Sequence, residues 1–78
     1  MTLDEVRARV ARLGAPQDAV VLGHGAAANE AWVLWEEDRW WSVFYAERGG
    51  RTGERRHTTL EEAAEDLLAR LGGAFPAA

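Results

Sequence analysis

The chain of 78 residues contains no cysteine, no lysine and only two prolines. Without cysteine, a disulfide framework and any thiolate metal site are excluded. No apolar run approaches the roughly 20 residues that span a bilayer. The N-terminal segment Met1–Glu5 is acidic and does not match a secretory signal peptide. We therefore expect no membrane association and a cytoplasmic location.

Length and composition favour one folded domain. Hydrophobic residues make up 47% of the chain and include four tryptophans, which argues against intrinsic disorder. The predicted domain spans residues 1–73, and residues 74–78 are predicted to be a disordered tail. The net charge of −4 disfavours binding to a polyphosphate backbone and suits a basic protein partner.

Two capping boxes predict two helices. Thr2–Glu5 and Thr59–Glu62 each place a threonine three residues before a glutamate, which satisfies the first free amides of a helix. Apolar residues follow at steps of three and four, so we expect helices over about residues 3–13 and 60–71. Glycines are predicted to end both helices.

The segment between the helices predicts β-structure. Residues 31–35 and 40–46 are rich in aromatic and β-branched residues and flank a polar turn, which is typical of an antiparallel hairpin. Weaker strands are predicted over residues 19–22 and 54–58. The predicted fold is α+β: helix, antiparallel sheet of three or four strands, helix, with both helices packed on one face of the sheet.

Alternation along the hairpin separates two faces. A turn centred on Glu37 and Asp38 would place Trp35 opposite Trp40. The face assigned to the core carries Trp32, Leu34, Trp41, Val43 and Tyr45. The face left uncovered is the predicted partner-binding surface, formed by Trp35, Trp40 and Phe44 together with the acidic turn residues Glu36, Glu37 and Asp38. The alternative is that the Trp35–Trp40 pair only stabilises the hairpin.

No motif points to catalysis, a cofactor or a metal. Gly23-His24-Gly25 lacks the Lys and Ser/Thr of a P-loop and the third glycine of a dinucleotide motif. His24 and His57 lie far apart in sequence, without further ligands at zinc-binding spacing. We therefore predict a protein that is not an enzyme.

Four arginines near an aromatic strand suggest nucleic-acid binding as an alternative function. Arg48, Arg51, Arg55 and Arg56 lie within the segment Arg48–His57, and basic residues beside stacking aromatics can bind single-stranded nucleic acid. Glu47 and Glu54 dilute this cluster. A charged edge strand that resists pairing is the favoured interpretation.

The run Trp41-Ser42-Val43-Phe44-Tyr45-Ala46-Glu47-Arg48-Gly49 resembles the W-x-V-x-Y-x-E-R-G pattern of small bacterial domains associated with polymorphic-toxin loci, including loci with necrotizing-toxin-like NAD glycohydrolase domains. In those domains, as here, a polar strand and a T-x-E-E-A helix start follow. His57 stands where that family is expected to carry an aromatic residue. The resemblance implies an immunity protein that neutralises a toxin, and it implies no functional residues. A self-associating accessory domain, which includes a homodimer, is a further alternative.

Overall fold

The computed structural model describes residues 1–24 and 29–74 of the chain. It contains two helices, four strands and one 3₁₀ turn. In chain order, the elements are α1 (Leu3–Arg12), the 3₁₀ turn Gln17–Ala19, β1 (Val20–Leu22), β2 (Ala31–Glu37), β3 (Trp40–Glu47), β4 (Gly50–His57) and α2 (Leu60–Ala74). The predicted α+β order of helix, sheet and helix is confirmed.

The two helices begin where the capping boxes predict. Thr2 Oγ1 accepts a hydrogen bond from the Glu5 amide at 3.2 Å, and Thr59 Oγ1 accepts one from the Glu62 amide at 3.2 Å. The predicted end of α2 is wrong, because the helix continues through Gly72–Gly73 to Ala74. Glycine weakens a helix by about 1 kcal/mol but does not forbid it. Residues 75–78 of the predicted tail lie outside the described residues.

The sheet has the strand order β1-β2-β3-β4. β2, β3 and β4 form an antiparallel meander, as the predicted antiparallel sheet requires. β1 departs from the prediction because it pairs parallel with β2, with Val20 beside Trp32 and Leu22 beside Leu34. The sheet is therefore mixed.

The hairpin register differs from the predicted one by two residues. Glu37 pairs with Trp40 and Trp35 pairs with Ser42, so the turn is formed by Asp38 and Arg39. Asp38 has a φ of 57°, in the left-handed region that aspartate tolerates in tight turns. A shift of two residues returns each side chain to its original face. The two predicted faces therefore survive the wrong register.

Both helices cover the predicted core face, called here the helix-covered face. Leu34 and Val43 are fully buried there against Val6 of α1 and Leu67 of α2. Trp32 and Trp41 are partly buried against the same cluster. The Tyr45 ring meets the Trp32 ring edge-on, with 5.2 Å between centroids. Truncating such a packed apolar side chain typically costs about 2–5 kcal/mol, so this layer dominates the stability of the fold.

A second, smaller cluster lies on the opposite face, called here the helix-free face because no described helix packs on it. Val33, Phe44 and Ala46 are its buried members, and Val21 and Trp35 pack around them. Ser42 is also fully buried on this face. The helix-free face is thus less open than its sequence suggests.

Candidate protein-binding surface

The three acidic residues of the hairpin tip, Glu36, Glu37 and Asp38, do not project to the same side of the sheet. Glu36 pairs with Trp41 and therefore lies on the helix-covered face, beyond the core. Glu37, its neighbour, projects to the helix-free face and is half-buried. Asp38 is exposed in the turn. Glu36 and Asp38 are thus open to solvent at the tip, whereas Glu37 is part of a separate arrangement.

Trp40 is the exposed aromatic residue of this tip. Its exposed fraction is 41%, and the other three tryptophans are less exposed. Trp35 lies diagonally across the hairpin, since Trp40 pairs with Glu37 two residues further along β2. Diagonal neighbours lie about 7–8 Å apart, within reach of aromatic side chains. The two indoles therefore share the end of the helix-free face nearest the turn.

Trp35 is half-buried, and the one polar atom of its side chain makes no hydrogen bond to the described residues. The indole Nε1 is buried and has no hydrogen-bond partner within the described structure, and the same holds for Ser42 Oγ directly across the hairpin. A buried N–H without an acceptor typically costs about 1–3 kcal/mol. Both atoms belong to residues that pair directly across the hairpin on the helix-free face.

The prediction that Phe44 belongs to an uncovered binding surface is wrong. Phe44 is only 2% exposed, because the guanidinium of Arg51 lies 4.4 Å from the centre of its ring. The same guanidinium lies 5.7 Å from the centre of the Trp35 ring. Phe44 therefore belongs to the internal packing of the helix-free face and is not available to a partner.

Arg51 crosses the helix-free face and joins three strands. It donates to both carboxylate oxygens of Glu37 on β2, at 2.9 Å each, and it also contacts Glu54 of its own strand. The hydrogen bonds from Arg51 hold the pKa of Glu37 below its usual value, and those to Glu37 and Glu54 raise the pKa of Arg51. We call Arg51 and its two carboxylate partners the Arg51 bridge.

A β-bulge makes the Arg51 bridge possible. Tyr45 pairs with Thr52 and Val43 pairs with Arg55, so Gly53 and Glu54 together face the single residue Phe44. In a regular strand, residues 51 and 54 would project to opposite faces. Arg51 lies on the helix-free face because it pairs with Ala46, and the extra residue brings Glu54 to the same face. Gly53 adopts a φ of 64° at the bulge. An isolated glycine within a strand is the sequence signal that could have indicated it.

The four arginines proposed for nucleic-acid binding do not form one surface. Arg48 lies in the β3–β4 turn with a φ of 50°. Arg51 is engaged in the Arg51 bridge. Arg55 pairs with Val43 and Arg56 pairs with Ser42, so these two exposed side chains project to opposite faces of the sheet. The cluster seen in the sequence is therefore dispersed in three dimensions.

His57 has a structural role at the junction of β4 and α2. Its Nε2 lies 2.9 Å from Asp66 Oδ2, and Arg70 Nε donates to Asp66 Oδ1 at 2.9 Å. Burial opposes ionisation of Asp66, but the hydrogen bonds from His57 and Arg70 outweigh it and lower the pKa of this carboxyl. Arg70 also donates to the Gly53 carbonyl at 2.7 Å. This network ties the bulge of β4 to the helix.

His24 lies apart from this network, exposed after β1. Within residues 1–24 and 29–74, no three side chains of His, Asp or Glu are grouped so that they could hold a metal ion. In the same part of the chain, no helix is long and apolar enough to cross a membrane.

No protein-family model, no curated protein and no solved structure matches this chain. The resemblance to immunity proteins therefore stays a prediction.

Proposed function

We propose that the chain is a non-catalytic, cytoplasmic protein-binding module that uses the tip of the β2–β3 hairpin. The observation that carries the proposal is Trp40, a residue that is 41% exposed at the end of the β2–β3 hairpin. Tryptophan is enriched among the residues that dominate binding energy at protein interfaces. An exposed indole buries little of its surface within the monomer. It therefore stabilises the fold less than it can stabilise a complex with a partner.

The residues around Trp40 define the partner's chemistry. Glu36 and Asp38 are exposed beside it and outnumber the one exposed arginine of the turn, Arg39, and the chain carries a net charge of −4. Such an arrangement attracts a basic surface and speeds association with it. The Arg51 bridge holds Trp35 and Glu37 in place before a partner arrives, so little conformational entropy is lost on binding at this end of the sheet.

The specific form of the proposal is an immunity protein that occludes the active site of a bacterial toxin. It rests on the W-x-V-x-Y-x-E-R-G resemblance, with the exposed Trp40, the carboxylates of Glu36 and Asp38 and the net charge of −4 as its physical support. Self-association through the same tip is the alternative within the binding class. Binding to nucleic acid is disfavoured, because Arg51 is neutralised by Glu37 and Glu54 and the other arginines are dispersed.

The test compares the wild type with Trp40→Ser as baits in the native cytoplasm. Arg55→Ala is the matched control, because Arg55 is exposed on β4 away from the tip. We expect a basic partner that both the wild type and the control retain and that Trp40→Ser loses. Calorimetry with the purified partner should then show a loss of about 2 kcal/mol, or roughly 30-fold in affinity.

A partner that Trp40→Ser binds as tightly as the wild type would contradict the proposed surface. Concentration-dependent light scattering that disappears in Trp40→Ser would indicate the homodimer instead. Sub-micromolar binding of labelled single-stranded RNA or DNA at physiological salt, lost in Arg55→Ala with Arg56→Ala, would favour the nucleic-acid alternative.

A further inference from the structure

Among residues 1–24 and 29–74, the outer edge of β1 has no strand paired to it. β1 lies at one end of the strand order and pairs only with β2 among the described strands. The Gly23 amide donates to the Leu34 carbonyl of β2 at 2.8 Å, so Gly23 and, by alternation, Val21 direct their backbone groups inward. Val20 and Leu22 then direct their amides and carbonyls to the outer edge. An edge of this kind is a template for strand addition.

Beside this edge runs an apolar groove. Its volume is about 280 Å³, and its apolar wall is formed by α1, the chain after it and β1, with Val10, Ala11 and Ala15 facing the strand. Drug-sized ligands occupy pockets of roughly 300–1,000 Å³. The groove is therefore at the lower limit for a small-molecule site, and it suits one or two apolar side chains of an extended chain.

Two nitrogen-bearing side chains, those of Arg7 and His24, also line the groove. Leu3 approaches Gly23, where a Cβ would lie 3.3 Å from Leu3 Cδ1, so α1 starts at the end of β1 and runs antiparallel to it. Arg7 and His24 thus lie toward the C-terminal end of β1. Arg7 contacts Asp4 at 3.1 Å, but the Arg7 side chain is 62% exposed. Exposed pairs of this kind contribute about 0–1 kcal/mol, so Arg7 can exchange Asp4 for another carboxylate.

We propose that this groove is a second binding site, which takes an extended peptide segment of a partner protein. The segment adds to β1 as a fifth strand, with its backbone paired to Val20 and Leu22. It places an apolar side chain against Ala11 and an acidic group at Arg7 and His24. Backbone pairing supplies affinity in this mode of recognition, and the side-chain pockets supply specificity. The site is separate from the hairpin tip and does not depend on the proposed function.

The first experiment selects peptides from a library of random octapeptides displayed on phage, with the full chain as target. Ala11→Trp serves as the counter-target, because Ala11 is exposed on α1 and a large side chain there fills the groove without entering the core. Its fold is checked by circular dichroism. We expect enriched sequences that bind the wild type and not Ala11→Trp, with an apolar residue near an aspartate or glutamate. The absence of any such enrichment would overturn the proposal.

The second experiment titrates the enriched peptide into the isotope-labelled chain by NMR. We expect chemical-shift changes and slower hydrogen exchange at the amides of Val20 and Leu22. Arg7→Gln with His24→Gln should weaken binding at least tenfold, whereas Arg9→Gln, a matched change on α1 outside the groove, should leave it unchanged.

Several results would overturn the proposal. A peptide N-methylated at its central residues that binds equally well would exclude strand addition. Equal binding of a peptide with Asn and Gln in place of its acids would exclude the role of Arg7 and His24. If 4-methylpentanoate produced the same shifts as the peptide, the groove would be a small-molecule site. Concentration-dependent shifts at Val20 and Leu22 without peptide would instead indicate edge pairing between two copies of the chain.

Discussion

Replacing Arg51 with alanine should destabilise the domain by about 1.5–3 kcal/mol. The bidentate pair with Glu37 is partly exposed, with 35% and 33% of the two side chains accessible, so its contribution after solvent screening is about 0.2–1 kcal/mol. The contact between the guanidinium and the Phe44 ring at 4.4 Å adds about 0.5–1 kcal/mol. The rest of the predicted loss comes from the apolar surface of Phe44, which the Arg51 side chain shields from water.

The loss predicted for Arg51→Ala is large compared with the total stability of the domain. Typical stabilities of roughly 0.05–0.15 kcal/mol per residue correspond to about 4–12 kcal/mol for a chain of this length. Urea denaturation, followed by tryptophan fluorescence, measures the change as a shift of the midpoint at constant slope. Arg51→Lys should recover part of the loss, because it retains the charge and the aliphatic stem but not the planar fork.

Arg55→Ala is the control, because it removes an exposed arginine of the same strand that faces the other side of the sheet. We expect it to change the free energy of unfolding by less than 0.5 kcal/mol, as a surface substitution typically does. Equal effects of Arg51→Ala and Arg55→Ala would refute the Arg51 bridge as a stabilising device. A deficit in Arg51→Ala that vanished entirely in 1 M NaCl would refute the packing of Arg51 on Phe44, since salt screens charge but not apolar contact.

Three further predictions follow from the packing. Trp41→Ala should lower the free energy of unfolding by about 2–4 kcal/mol and Trp40→Ala by less than 1, because only Trp41 packs on the core; equal midpoints in urea would contradict this. The folded-state pKa of Asp66 is lowered, so its contribution to stability is complete above the unfolded pKa of about 4 and is lost as the pH falls through the folded value. Urea titrations at pH 7 and pH 3 should therefore show a smaller acid-induced loss in Asp66→Asn than in the wild type, and Glu65→Gln should resemble the wild type. Gly53→Ala should cost about 1–2 kcal/mol in thermal unfolding, because alanine disfavours a φ of 64° and its Cβ would lie 3.3 Å from the α2 guanidinium; an unchanged midpoint would contradict the bulge geometry.

The helices and the two faces of the hairpin could be predicted because their signals are local. A threonine followed three residues later by a glutamate fixes a helix start, and the capping hydrogen bonds at Thr2 and Thr59 lie where this rule places them. The alternation of apolar residues fixes which side chains share a face whatever the register, provided that the register shifts by an even number. Leu34 and Val43 are therefore buried beneath the helices as expected.

The candidate surface was predicted only in part because it depends on relations between strands. The pairing of Glu37 with Trp40 depends on turn geometry at Asp38, which the polar run of residues 36–39 leaves open. The burial of Phe44 involves the Arg51 side chain, which lies on the helix-free face because Arg51 pairs with Ala46, while the bulge at Gly53 adds Glu54 to that face. The sequence does not give the register of β3 against β4. It therefore does not distinguish Arg51 from the three other arginines of the segment Arg48–His57.

The parallel pairing of β1 bears on the order in which the chain folds. β2, β3 and β4 are joined by two-residue turns, so their contacts are local and form early. β1 can pair only after β2 has formed, although β1 precedes β2 in the chain. During synthesis, α1 and β1 therefore emerge first but must wait for the meander before they can dock. We expect the nucleus of folding to lie in the meander of residues 31–57, with the N-terminal helix joining a sheet that has already formed.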